Sequence, residues 1–156
     1  MAASVLLVVG EQPELMASLK KKAEALVLGQ EPGQVGAIID SASRDRIVGY
    51  INAAEEAGAT ILVDGRSTGK ETGNWVKPTI IVHNSTEEPG FKDEIFGPVL
   101  SVLQVKTFEE AIRIENANRY GNAASIYTSV GAHAEWFSQR FRAGMIGVNI
   151  GVPVPR

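Results

Sequence analysis

Phe91-Lys92-Asp93-Glu94-Ile95-Phe96-Gly97-Pro98-Val99-Leu100-Ser101-Val102-Leu103-Gln104-Val105 is the stretch on which the reading of this chain turns. A short acidic-aromatic loop meets Gly97-Pro98, and a continuous apolar run follows. Pro98 lacks an N–H and forces its predecessor away from helical geometry, so no helix passes this point. Val99, Leu100, Val102, Leu103 and Val105 then read as a strand buried on both faces, as in a parallel sheet. Loops at strand ends, held by a rigid sheet, carry the chemistry of α/β proteins. Glu94 and Phe96 stand two residues apart, so an extended loop projects them to the same side.

Around this stretch the composition is that of an ordinary folded domain, with 44% hydrophobic and 21% charged residues among 156. A net charge of −3 with no basic block offers no electrostatic case for nucleic acid or a membrane surface. No run approaches a membrane span, and no signal peptide is expected. The chain has no cysteine, which excludes disulfides, thiolate metal sites and a cysteine nucleophile within it. His83 and His133, the two histidines, stand fifty residues apart, so no metal site is expected; His83 reads as a surface or turn residue.

Upstream, Met1 to Gly10 favours a buried strand over Ser4 to Gly10 after a short helical start, with a helix as the alternative, and the chain is expected to open in mid-core. Pro13 to Leu28 reads as an amphipathic helix with Leu15, Leu19, Ala23 and Leu26 inward, Lys20 to Lys22 in water and Gly29 as the stop. Gln30 to Ile39 is a glycine-rich surface loop. Asp40 or Ser41 caps a second helix with Ile47, Ile51 and Ala54 on one face and a stop at Gly58. Thr60 to Val63 is a short β run and Thr79 to Val82 another strand. Between them, Asp64 to Asn74 is a hairpin-like connection whose Gly65, Gly69-Lys70 spacing fails as a phosphate loop.

Downstream, Thr107-Phe-Glu-Glu110 is a capping box, in which the Thr hydroxyl and the Glu carboxylate each satisfy the other residue's backbone N–H. Phe108, Ala111 and Ile112 face inward. Ala124 to Thr128 reads as a strand, Ala132 to Arg142 as a helix and Met145 to Asn149 as a last strand. Strand, helix, strand, helix, strand at these intervals predicts two consecutive βαβ units and a parallel sheet. The tail from Gly151 leaves as an extended loop. The fold class expected is α/β, a three-layer αβα arrangement with a mainly parallel sheet.

Lys92-Asp-Glu-Ile-Phe-Gly-Pro-Val99, Asn118-Arg-Tyr-Gly121 and Ala143-Gly-Met-Ile-Gly-Val-Asn149, in this order, resemble the catalytic domain of the aldehyde dehydrogenase superfamily. The resemblance covers essentially the whole chain. The ending Gly147-Val-Asn-Ile-Gly-Val-Pro-Val-Pro155 looks most like the CoA-acylating, methylmalonate-semialdehyde branch, and Met1-Ala-Ala-Ser4 resembles the residues that follow that family's nucleophilic cysteine. The resemblance implies an NAD-dependent oxidation of a small aldehyde, with CoA as co-substrate, in a homo-oligomer of the cytoplasm or, in a eukaryote, the mitochondrial matrix. It assigns Glu94 to the nicotinamide-side ribose and Phe96 to the nicotinamide. Without it, the local pattern fits an exposed loop acid and a core plug. A carboxylate accepts well from two ribose hydroxyls, and an aromatic ring keeps water from a hydride-transfer face.

The departures bear on activity. The family's nucleophile, its general-base glutamate and its dinucleotide-binding Rossmann domain have no counterpart in these 156 residues. The chain therefore reads as one incomplete catalytic domain, residues 1–156, with no catalytic residue of its own and no activity alone. Glu115 stands where the family usually has a small apolar residue, so its helix is expected to be more exposed than in the intact enzyme. Two alternatives are another aldehyde dehydrogenase branch and a truncated, non-enzymatic interaction module with an apolar patch.

Overall fold

The fold was analysed in a computed structural model, which describes residues 3–69 and 73–152. Two compact units emerge, one formed by Ser4–Gln104 and the other mainly by the chain from Val105 onward.

The first unit is built on a four-stranded sheet of order β1-β4-β3-β2, with β1 at Val5–Val9, β2 at Thr60–Val63, β3 at Thr79–His83 and β4 at Val99–Val105. β3 pairs parallel with β4, Ile81 opposite Ser101 and His83 opposite Leu103. β2 returns antiparallel onto β3, with a register irregularity between Ile61 and Val63. The alternation of β3 and β4 separates two cores. Ile80, Val82, Leu100 and Val102 pack with Val8 and with Met16, Leu19 and Ala23 of helix α1, Pro13–Glu24. Ile81 and Val99 pack instead with Ile47, Ile51 and Ala54 of helix α2, Ser41–Glu56. The result is helix, sheet, helix, the three layers expected.

Helix α2 starts where a side chain can replace the missing backbone acceptor: Asp40 accepts from the Ser43 N–H at 2.6 Å. It ends before Gly58, whose φ of 90° lies in the left-handed region that glycine tolerates. In α1 the inward set is Met16, Leu19 and Ala23; Leu15 is exposed because it lies off that face, and Leu26 because the helix ends at Glu24 rather than Leu28.

The second unit holds helix α4 (Phe108–Ala117), strand β5 (Ala123–Ile126), helix α5 (Gly131–Arg140) and strand β6 (Met145–Val148). β5 and β6 pair in parallel as a separate two-stranded sheet. Of the two βαβ units expected, only β5-α5-β6 forms. Both edges of β4 are taken, by β1 and β3, and β5 pairs with β6. Ile112, Ala124, Ile126 and Phe137 form this unit's core, with Phe108, Trp136, Phe141 and Ile146 around it.

Two asparagines brace that core. Asn116 donates to the Arg140 carbonyl at 2.8 Å and accepts from the Arg142 N–H at 2.7 Å. Asn149, in the left-handed region at φ 54°, accepts from the Thr128 N–H and donates to the Thr128 carbonyl, both at 2.9 Å. At the start of α4, the Glu110 N–H donates to the Thr107 hydroxyl as a capping box requires. The Glu110 carboxylate, however, accepts from Lys106 rather than from Thr107. Glu115 itself is half-buried, and burial pushes its carboxyl up to about 7. The tail expected to leave as an extended loop lies mostly outside the described residues. Among the described residues, no helix is long and apolar enough to cross a membrane.

Candidate functional site

Between β3 and β4 the chain makes one helical turn, Pro89–Lys92 (α3), and then the loop that carries Glu94 and Phe96. The sequence pattern predicts an irregular connection here, and the helical turn departs from it. Pro89 opens the turn because its missing N–H would have had no partner in a first helical turn. The Asp93 N–H bonds to the Pro89 carbonyl at 3.0 Å and closes it.

From there the side chains alternate. Glu94 is exposed, Ile95 is 5% exposed within the core beside α2, and Phe96 is 76% exposed. Phe96 also has a φ of 52°, the left-handed region that L-residues with large side chains avoid. A large aromatic in water on a disfavoured backbone stabilises nothing in the fold itself. Such residues gather at ligand sites.

Helix α2 holds the loop from one side. Arg46 donates to the Ile95 carbonyl at 2.7 Å, and the Tyr50 hydroxyl contacts the Asp93 carboxylate at 3.1 Å. Gly97 lies so close to α2 that a β-carbon there would stand 2.7 Å from the Ile47 δ-carbon.

Beneath α3 lies a buried polar chain. His83 is 3% exposed, a core residue rather than the surface or turn residue expected from the sequence. Its Nδ1 stands 2.5 Å from Glu88 Oε2 and its Nε2 3.1 Å from Ser101 Oγ. Ser101 donates to the Gly90 carbonyl at 2.8 Å. The other Glu88 oxygen accepts the N–H groups of Asn84 and Ser85 at 3.0 and 3.2 Å. Serine, histidine and glutamate are the residue types of a nucleophilic triad, but here the serine is buried and its proton is committed to a carbonyl. The set is structural. It was legible in principle: Ser101 and His83 share parity with Val99 and Ile81, and a polar residue at a buried parity must find a partner.

Glu94 and Phe96 are thus both exposed on one loop, which Arg46 and Tyr50 hold from α2, with His83, Glu88 and Ser101 buried under the turn before it; the left-handed φ of Phe96 departs from the extended loop that would project the two side chains to the same side.

Residues 1–155 match the aldehyde dehydrogenase family. A Bacillus cereus malonate-semialdehyde dehydrogenase is 42% identical over 99% of this chain and 33% of its own length. Among solved structures, the methylmalonate-semialdehyde dehydrogenase of Oceanimonas doudoroffii is similar with a TM-score of 0.92 and 37% identity, over 97% of this chain and 33% of that one. A Mycobacterium tuberculosis aldehyde dehydrogenase solved with NAD+ gives 0.86 and 32%, over 94% and 31%. This chain belongs to the aldehyde dehydrogenase family. It spans about a third of the length of the curated relatives it matches.

Proposed function

We propose that residues 1–156 are one incomplete catalytic domain of an NAD-dependent aldehyde dehydrogenase acting on malonate or methylmalonate semialdehyde, with Glu94 and Phe96 as its cofactor contacts. The observation that carries this reading is the Glu94–Ile95–Phe96 alternation, in which a buried residue anchors two exposed ones on a clamped loop. The residues fit the cofactor. An exposed carboxylate accepts from vicinal hydroxyls, and an exposed aromatic ring offers a flat apolar face to a nicotinamide.

NAD, when bound, supplies the hydride acceptor. Glu94 would fix the ribose, and Phe96 would exclude water from the reacting face. The cysteine thiolate that attacks the aldehyde carbon must come from outside these residues, since they include none. Loss of that carbon's hydrogen as hydride to the nicotinamide would leave the acyl group on the sulfur as a thioester, and a CoA thiol would take it over with release of the cysteine thiolate. The relatives whose names specify malonate or methylmalonate semialdehyde support the substrate class. The full enzyme is read as a homo-oligomer of the cytoplasm or mitochondrial matrix.

Two-piece reconstitution tests the reading. This chain is co-expressed with the upstream part of the Bacillus cereus malonate-semialdehyde dehydrogenase, and semialdehyde-dependent NADH formation is followed. Turnover is expected with both pieces and none with this chain alone. Glu94→Gln or Phe96→Ala should raise the KM for NAD by roughly tenfold, the loss of one good contact. NADH production by the isolated chain, or unchanged KM in both variants, would sink it.

A further inference from the structure

The buried chain under α3 has a direction fixed by valence. The Gly90 carbonyl can only accept, so the Ser101 hydroxyl spends its one proton there. Ser101 Oγ can then interact with His83 only as an acceptor, which requires a proton on Nε2. The 2.5 Å contact between Nδ1 and Glu88 holds a further proton between ring and carboxylate. Every polar atom in the chain is thereby used, and it links the end of β3, the middle of β4 and the first turn of α3.

Its output is the position of α3. Gly90 hangs from Ser101, and the buried Phe91 presents its ring to His83 at 5.8 Å and 76°, edge to face. A β-carbon at Gly90 would already lie 3.4 Å from the His83 ring, so the turn rests directly on the imidazole. Asp93 is bonded back to Pro89 and follows the turn, and Glu94 comes next.

We propose that His83 is a positioning residue for the Glu94–Phe96 loop, acting through Ser101 and Gly90 and through Phe91. The connection to cofactor binding rests on the assignment of Glu94 and Phe96 made above. The hold on the loop does not.

Nuclear magnetic resonance on this chain provides the test. In the unmodified chain the His83 Nε2 proton is expected to be visible and slow to exchange; an unprotonated Nε2 overturns the proposal. Ser101→Ala and His83→Leu should reduce amide protection at Phe91 and Asp93 by about tenfold or more, with larger backbone amplitudes from Glu94 to Gly97, while Ile81 and Val102 keep their protection. His83→Gln, whose amide can still donate to Ser101, should recover much of that protection. A general loss of packing would not be rescued in this way. Unchanged protection at Phe91 and Asp93 in both disruptive variants overturns the proposal. In the reconstituted enzyme, Ser101→Ala should raise the KM for NAD several-fold with kcat little altered. Loss of protection with KM unchanged would uphold the hold on the loop and overturn the cofactor assignment of Glu94.

Discussion

Arg46 Nη1 donates to the carbonyl of Ile95 at 2.7 Å, tying the second turn of α2 to the one residue that separates Glu94 from Phe96. A charged donor on a backbone carbonyl is worth about 1.5–3 kcal/mol when partly shielded from water, and less at an exposed edge. Arg46→Met, which keeps the aliphatic stem and removes the donor, should destabilise the first unit by about 1 kcal/mol in urea denaturation. Arg46→Lys should recover part of that loss, since it donates without the planar fork.

Gly97 should not tolerate a side chain. A β-carbon there would meet three Ile47 carbons between 2.7 and 3.1 Å, and Ile47 is fully buried. Gly97→Ala is expected to cost about 1–3 kcal/mol by overpacking. Ile47→Ala alone should cost about 2–5 kcal/mol through the cavity it leaves. The double variant should be more stable than the sum of the two implies, because each change relieves the other. A thermodynamic cycle from denaturant midpoints would show this coupling; strict additivity would contradict the packing described.

Phe96 makes a separable claim. Its left-handed backbone costs a residue with a β-carbon about 1–2 kcal/mol. Phe96→Gly should therefore leave stability unchanged or raise it by up to about 1 kcal/mol, as glycine's larger unfolded-state entropy offsets part of the relief. Phe96→Val, branched at the β-carbon, should lower stability. Thermal melts of the two variants decide this, and a large loss with glycine would mean that the ring has a packing role.

Glu115 sets a pH dependence. Its carboxyl is raised in the folded chain from an ordinary value to about 7 by burial, so the folded state holds this proton more tightly than the unfolded one. Stability should fall as pH rises from the ordinary carboxylate range through about 7. Glu115→Gln should match the unmodified chain at pH ~5 and exceed it at pH ~8, with the difference opening across that window. Denaturant midpoints at several pH values test this, and equal pH profiles would contradict it.

What the sequence disclosed, and what it hid, follows from the range of the interactions involved. Local rules narrowed the helix cap to Asp40 or Ser41, of which Asp40 is the cap, and placed the inward face of Ile47, Ile51 and Ala54 and the buried run of β4, because each depends on neighbours within a turn or two. The three layers followed from those faces. The pairing of β1 with β4 did not, since it joins residues some ninety positions apart, and neither did the separate β5–β6 sheet. Glu94 and Phe96 were named from motif resemblance and proved exposed, while their supports stayed hidden. Arg46 meets Ile95 from 49 residues away, and the residues around His83 converge only once β3, β4 and α3 are assembled.

The alternation of Glu94, Ile95 and Phe96 has a consequence for how this loop can change. Adding or removing one residue between Asp93 and Gly97 would exchange inside for outside, sending an acid or an aromatic into the core and Ile95 into water. Length changes here are tolerable only where parity is restored within the same few positions. Loop-exchange experiments should therefore carry Asp93–Gly97 as one indivisible block, and libraries built by single-codon insertion should be depleted of folded members at this point.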